Sequence, residues 1–320
     1  MMGLLLLRDK IKNFYTSHEF ICFAIIKFLM VLIGLILVKD NIGYMESLKK
    51  MPVILAVAGL SAFLPMGVTI LILAAVILAN IYALSMYLAA VSLGALIVMF
   101  IIYYRFTPKE SVMLVLIPMM FYLKVPYLAP LAIGLVGTPI SVVTAAFGTI
   151  VYYMINLVSV NSATINNMDS DSAGKQIEYY IDLFINSQAL VFTMGIFAIV
   201  ILVVYTIKKM SINNSWTIAV VVGGMAELIL FEVSSLTLKE IDDPVMIAVE
   251  CVISIVLAVI LQFFIFSVDY TRCEHTQFED DEYYYYVKAV PKINVVAPEM
   301  NIKRINAKRQ NKTRNAMRAN

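Results

Sequence analysis

The sequence predicts an all-α fold: a polytopic helical membrane protein with about six full spans and two proline-broken apolar hairpins, eight to ten apolar segments in all. Three observations carry this. Of the 320 residues, 61% are hydrophobic and only 14% charged, where soluble domains run near 25% charged. Several uncharged runs reach the length of about 20 residues that crosses a hydrocarbon core. The runs are continuous rather than alternating, which selects helices over barrel strands, the two ways of satisfying backbone polar groups in lipid.

Taken in order, residues 1–19 are short and mixed, with Arg8, Lys10 and Lys12 ahead of the first span, Phe20 to Val38. That span has the basic start and apolar core of a signal peptide. Its core is long, however, and ends in Leu37-Val38-Lys39-Asp40 without a small-x-small cleavage site, so it reads as a retained anchor. From Met51 to Tyr104 there is no charged residue at all. This stretch breaks at Phe63-Leu64-Pro65-Met66-Gly67, because Pro65 removes a helical hydrogen bond and Gly67 relaxes the backbone beside it. It divides into an arm over 51–64, a second arm over 68–81 and a full span over 85–104. A second broken stretch, 111–137, holds Pro118, Pro126 and Pro130, with Lys124 at its break and Pro139 just beyond. Both broken stretches read either as re-entrant hairpins or as additional pairs of spans, and both readings leave the termini on one side.

Full spans are expected over 140–160, 188–207, 216–236 and 245–268. The polar segment 161–187 carries Asp169, Asp171, Glu178 and Asp182 against Lys175. Its Ile177, Ile181, Phe184 and Ile185 recur at helical spacing, which predicts a short interfacial helix. The domain plan is therefore a cytosolic N-terminus (1–19), a transmembrane domain (20–268) and a cytosolic tail (269–320). The tail opens acidic and tyrosine-rich. It becomes basic from Asn301, and low hydrophobicity with like charge predicts disorder there.

Lysine and arginine bias sets orientation. With the N-terminus inside and both broken stretches re-entrant, seventeen basic residues fall inside and five outside, and the acidic 161–187 segment lies outside. The first hairpin then enters from outside and the second from inside. Opposed broken helices are a transporter device.

Few residues are equipped for chemistry. The odd cysteine count (Cys22, Cys251, Cys273) and only two histidines, His18 and His275, point to no metal or disulfide framework. No P-loop, nucleophile elbow, zinc-protease or dinucleotide fingerprint is present. No cofactor, metal site or catalytic residue is expected, and the chain is not read as an enzyme. Lys27 and Glu227 lie inside spans, where ionisable residues are costly and usually face protein, water or a partner. Their depths, about 10 and 16 Å from the inner edge by helix rise, allow them to pair. Lys27 can also snorkel to the surface, and Glu227 can carry a proton or contact a cation. Lys124 would meet an anion or lipid head group at a hairpin tip, or be solvated at a helix end. Glu232 and Glu250 read as solvated span ends or a shallow outward-facing acidic site. Gly223-Gly224 is a packing signal. Tyr283, Tyr284, Tyr285 and Tyr286 offer amphipathic area either to a protein partner at residues 278–298, through strand pairing, or to the membrane surface. The basic end suits anionic lipid head groups, and no nucleic acid is expected.

The juxtamembrane run Gln277-Phe278-Glu279-Asp280-Asp281-Glu282-Tyr283 to Lys292, together with Tyr205 to Ile218 ending in Asn214-Ser215-Trp216-Thr217-Ile218, resembles a family of multi-span membrane proteins of Gram-positive anaerobic bacteria that has no assigned activity. The resemblance implies a bacterial cytoplasmic membrane and an intact, non-fusion protein. It implies no site residue. The functional expectation is a membrane scaffold or assembly partner acting through its cytosolic tail. The alternative is a permease-like transporter of a small solute or ion that uses the broken hairpins and Glu227.

Overall fold

Helix α1 spans Met2–Ser17, where a short mixed segment was expected; α2 (Glu19–Ile42) then sets the frame for everything that follows. The computed structural model describes residues 2–166, 173–212, 214–237, 244–265, 274–279 and 284–289. The chain divides into two compact units, Arg8–Phe266 and Met1–Leu7 with Ser267–Asn320. In the larger unit, α2 is followed by α3 (Glu46–Lys49), α4 (Met51–Phe63), α5 (Met66–Leu84), α6 (Met86–Phe106), α7 (Ser111–Tyr122), α8 (Leu128–Val136), α9 (Val142–Asn166), α10 (Ala173–Ile185), α11 (Gln188–Lys208), α12 (Ser215–Thr237) and α13 (Pro244–Ile265). Among the described residues, seven helical stretches are long and apolar enough to cross a membrane. The chain is a multi-pass helical membrane protein.

Side-chain ties fix the chain directions. We call the side from which α2 departs the near side and the other the far side. α4 descends beside α2, and Lys27 of α2 donates to the carbonyl of Leu64 at the end of α4. α5 then climbs back, since Asn80 accepts from the Met45 N–H at 3.2 Å, on the far side where α4 started. α4 and α5 therefore form one hairpin that enters and leaves from the far side. Its arms are unequal. The 13 residues of α4 give about 20 Å of helix and the 19 of α5 about 28 Å. The second arm is longer than the 68–81 expected, and it alone accounts for the seventh long helix. Asn80 does not stop it, because the Asn80 amide donates to Val76 O at 2.8 Å and the helix runs on to Ser85.

The second broken stretch does the reverse. α7 leaves the near side just after Glu110, and α9 begins beside it, since Thr144 Oγ1 donates to Glu110 at 2.8 Å. α7 and α8 thus enter and leave from the near side. The six remaining long helices, α2, α6, α9, α11, α12 and α13, cross alternately, so α2 begins and α13 ends on one side. The near end of α13 is tied by Gln262 donating to Thr217 Oγ1 at 2.9 Å. There, too, Arg8 of α1 lies over the Phe263 ring at 5.6 Å. α10 packs on the far half of α6 through Gln176, which accepts from Ser85 Oγ at 2.9 Å, and through Tyr180, 3.3 Å from Ser92 Oγ.

Buried apolar side chains fall into two groups within this unit. One joins α2, α4, α5, α6, α7 and α9, and includes Ile42, Ile81 and Leu88. The other joins α8, α11, α12 and α13 around Leu131, Val200, Val204 and Val220. Small residues let the second group close. Val204 packs where a Cβ on Gly223 or on Gly134 would have to sit, and Ile255 fills the same place at Gly224.

In the smaller unit, β1 (Glu274–Glu279) pairs antiparallel with β2 (Tyr284–Ala289), in the register Phe278 with Tyr285 and Glu279 with Tyr284. Residues 290–320, including the basic end and its expected disorder, lie outside the described residues, as does Tyr283.

Candidate functional site

The second hairpin places a broken backbone deep in the helical bundle. α7 ends in a Schellman turn, in which the N–H of Val125 donates to Met120 O at 2.9 Å and that of Lys124 to Phe121 O at 3.2 Å. Lys124 takes the left-handed conformation this turn needs, with φ 59°. Glycine is the usual residue there, because a Cβ is strained. Pro126 follows and prevents the helix from resuming. Lys124 is exposed at the tip, and Tyr127, just past it, is buried edge-on against Phe231 at 4.7 Å between ring centres.

Gly223, Glu227 and Phe231 lie four residues apart on α12, so they share one stripe. Gly223 faces Leu131 of α8, and Phe231 faces Tyr127 at the start of α8. Glu227 therefore sits between those levels, against the first turn of α8. It is 1% exposed, and neither carboxylate oxygen has a hydrogen-bond partner. From Ser215 it lies about 18 Å along the helix axis, near the middle of the span. Across from it on antiparallel α13, the Cys251 thiol lies within electrostatic reach of Glu227, Glu232 and Glu250. Ser254, a turn nearer the near side, is also buried with its hydroxyl unpartnered. A buried polar side chain without hydrogen-bond partners is costly unless something pairs with it.

The structure separates the residues that the sequence allowed to pair. Lys27 is 2% exposed and neither snorkels nor meets Glu227; it belongs to the first hairpin, where it donates to Leu64 O. No ion pair joins Lys27, Lys124 and Glu227 among the described residues. Glu250 is buried, seven residues into α13, and so is not a solvated span end, whereas Glu232 is half-buried. Tyr284 and Tyr286 are 69% and 76% exposed on one face of the β-hairpin, and Tyr285 lies on the other face.

Two further residues emerge only from the structure, and both fasten the base of the second hairpin. Lys208, at the near end of α11, donates to the carbonyls of Leu135 at 2.7 Å and Gly134 at 3.2 Å, capping α8. Glu110 accepts from Ser141 and Thr144, while Ser141 Oγ itself accepts from the Thr138 N–H at 2.8 Å. In sequence Lys208 is one more basic residue at a span end, and Glu110 one acid in a polar loop. Nothing in their spacing marks either. No family model, curated protein or solved structure matches the chain.

Proposed function

We propose that the chain is a permease-like transporter of a bacterial cytoplasmic membrane, with both termini cytosolic, in which Glu227 takes up and releases a proton or small cation. The observation that carries this reading is the Glu227 carboxylate, fully buried and unpartnered against the first turn of a half-helix that belongs to one of two oppositely directed hairpins. Intramembrane carboxylates mark proton and ion pathways, and discontinuous helices entering from opposite sides build transport sites near the midplane. The near side is then cytosolic. The resemblance of residues 277–292 to membrane proteins of Gram-positive anaerobes supports the same location.

The test uses the full chain in proteoliposomes holding a trapped pH-sensitive dye, with an imposed potassium diffusion potential to drive protons. Wild type is expected to pass protons faster than empty vesicles. Glu227→Gln is expected to abolish that excess while retaining the thermal unfolding profile. Equal proton flux in wild type and Glu227→Gln overturns the proposal.

A second reading rests on the tail. An isolated two-stranded ribbon is marginal in water, and β2 exposes Tyr284 and Tyr286 on one face beside Lys288. Such a surface suits a protein partner that adds a strand or covers the rings, as a scaffold would require, and the basic end would add contact with anionic lipid. Deleting residues 278–320 separates the readings: a scaffold loses partner recovery, and a transporter keeps its flux.

A further inference from the structure

From Arg8 to Ser17, α1 sorts its side chains by face. At 3.6 residues per turn, Ile11, Phe14 and Tyr15 fall within an arc of about 100°. Ile11 and Phe14 are 50% and 62% exposed, so the rest of the bundle does not cover that arc. Asn13 and Thr16 lie on the opposite face. The hydroxyls of Thr16 and Ser17 donate to the carbonyls of Lys12 at 3.0 Å and Asn13 at 2.8 Å, which satisfies acceptors in the last turns of the helix. Lys10 and Lys12 are exposed and border the apolar arc on its two sides.

This stretch lies across the near end of the bundle. Arg8 sits over the Phe263 ring, 5.6 Å from its centre. Phe263 adjoins Gln262, whose bond to Thr217 marks the near ends of α13 and α12. α2 belongs to the first packed group and α13 to the second. Arg8 is about 16 Å of helix from the start of α2, so a straight continuation of α2 would carry it away from the bundle and from Phe263. The chain turns instead at His18, where the backbone leaves the helical region with φ −130° and ψ 35°.

We infer that α1 is an interfacial helix seated in the near leaflet of the bilayer, with Ile11, Phe14 and Tyr15 among the first acyl carbons and the Lys10 and Lys12 ammonium groups at the lipid phosphates on either side. An amphipathic helix of this kind buries its apolar face about 5–10 Å into the boundary between head groups and acyl chains. Continuity with the lipid-facing surface selects the bilayer as the occupant. The apolar arc leads through the Phe14–His18 ring stack, 5.0 Å between centres, to exposed Phe20 and Ile21 at the near end of α2. Charge fits the same occupant, because lysines beside an apolar face lay their stems along it and extend their ammonium groups to the phosphates. The segment expected to be a free cytosolic terminus thereby becomes part of the membrane-bound surface. The inference is independent of whether Glu227 carries a proton.

The experiment is spin-label accessibility of the full chain, without its native cysteines, in vesicles of phosphatidylcholine and phosphatidylglycerol. Single nitroxides are placed through Ile11→Cys, Asn13→Cys and Phe14→Cys. The labels on Ile11→Cys and Phe14→Cys are expected to relax several-fold more with oxygen, which concentrates among acyl chains, than with a water-soluble nickel chelate. The label on Asn13→Cys is expected to show the reverse. Equal access of the nickel chelate to all three overturns the inference, because the helix then lies in water. Exclusion of both reagents from the Ile11→Cys and Phe14→Cys labels also overturns it, because a protein surface then covers the face. If the cysteine-free chain does not fold, Phe14→Trp and Asn13→Trp in a Trp216→Phe background replace the labels. Lipid brominated near the head-group end of its acyl chains is expected to quench Phe14→Trp several-fold more than Asn13→Trp, and equal quenching overturns the inference.

Discussion

The Lys27 ammonium donates to the main-chain carbonyl of Leu64, the residue at which the first hairpin turns. The last carbonyls of a helix lack partners, and at Leu64 Pro65 blocks continuation. The lysine supplies what the broken backbone lacks. Lys208 does the same for the second hairpin at Gly134 and Leu135. Each hairpin thus has a helix end neutralised by a lysine from a full-length neighbour. Lys27→Met is expected to leave Leu64 O unsatisfied and lower stability by about 1–3 kcal/mol, read as a reduced unfolding temperature in detergent. An unchanged melt would show that the contact contributes nothing.

The opposed hairpins make a topological prediction in which entry and exit share a side. In a background without native cysteines, Lys49→Cys and Met86→Cys flank the first hairpin at exposed positions, and Lys109→Cys and Ile140→Cys flank the second. A membrane-impermeant thiol reagent is expected to label the first pair from one face only and the second pair from the other. Labelling of Lys49→Cys and Met86→Cys from opposite faces would make the first stretch an odd number of crossings.

Lys124 occupies a left-handed position with φ 59°, which costs a non-glycine residue about 1–2 kcal/mol. Lys124→Gly relieves that strain and is expected to raise stability by about 1 kcal/mol. If the lysine is kept at the tip for work on an anion or lipid head group, the same variant loses transport while gaining stability, the usual trade-off at strained functional sites. A thermal melt paired with the proteoliposome assay reads both, and a variant that gains neither stability nor loses flux removes Lys124 from the site.

Helix and break were legible because each follows from a local rule. Proline at 65 and 126 stops a helix wherever it lies, and uncharged runs of span length have few alternatives in lipid. That the two broken stretches open toward opposite ends of the bundle followed from the sequence only under the re-entrant reading, with pairs of spans as its alternative. What the sequence could not carry is partner choice. Lys27 and Glu227 lie at compatible depths, and depth is all that helix rise reports; which neighbour each faces depends on how α2 and α12 are arranged around the hairpins. The hydrogen bond of Lys27 to a main-chain oxygen has no residue signature, since every residue has a carbonyl. α5 is also longer than the 68–81 arm expected, running on to Leu84 through Asn80, whose side-chain amide donates to Val76 O and whose side-chain oxygen accepts from the Met45 N–H.

Gly223 and Val204 form a knob-and-hole contact that a methyl group would spoil. A Cβ on Gly223 overlaps Val204, whereas one on Gly94 meets nothing. Gly223→Ala is expected to destabilise by about 1–3 kcal/mol through overpacking, and Gly94→Ala to stabilise slightly through helix propensity. Adding Val204→Ala to Gly223→Ala should recover part of the loss, with a coupling of about 0.5–3 kcal/mol in a double-mutant cycle. Simple additivity would place the glycine's role elsewhere than at this contact.

The clasp at the base of the second hairpin can be opened from one residue. Glu110 binds the first turn of α9 through Ser141 and Thr144, and Ser141 in turn takes the Thr138 N–H that ends the returning arm. Both ends of the hairpin are thereby held to one carboxylate. Hydrogen bonds to a charged group contribute about 1.5–3 kcal/mol each net of exchange with water when buried, and this carboxylate is only half-buried. Glu110→Ala is therefore expected to cost about 2 kcal/mol rather than the sum of two such bonds. Because Lys208 still caps α8, the loss should be local. Amide hydrogen exchange is expected to speed up across residues 137–144 and at the start of α7, with α12 and α13 unchanged. Uniform acceleration across the bundle would instead make Glu110 a determinant of global stability and remove its special relation to the hairpin.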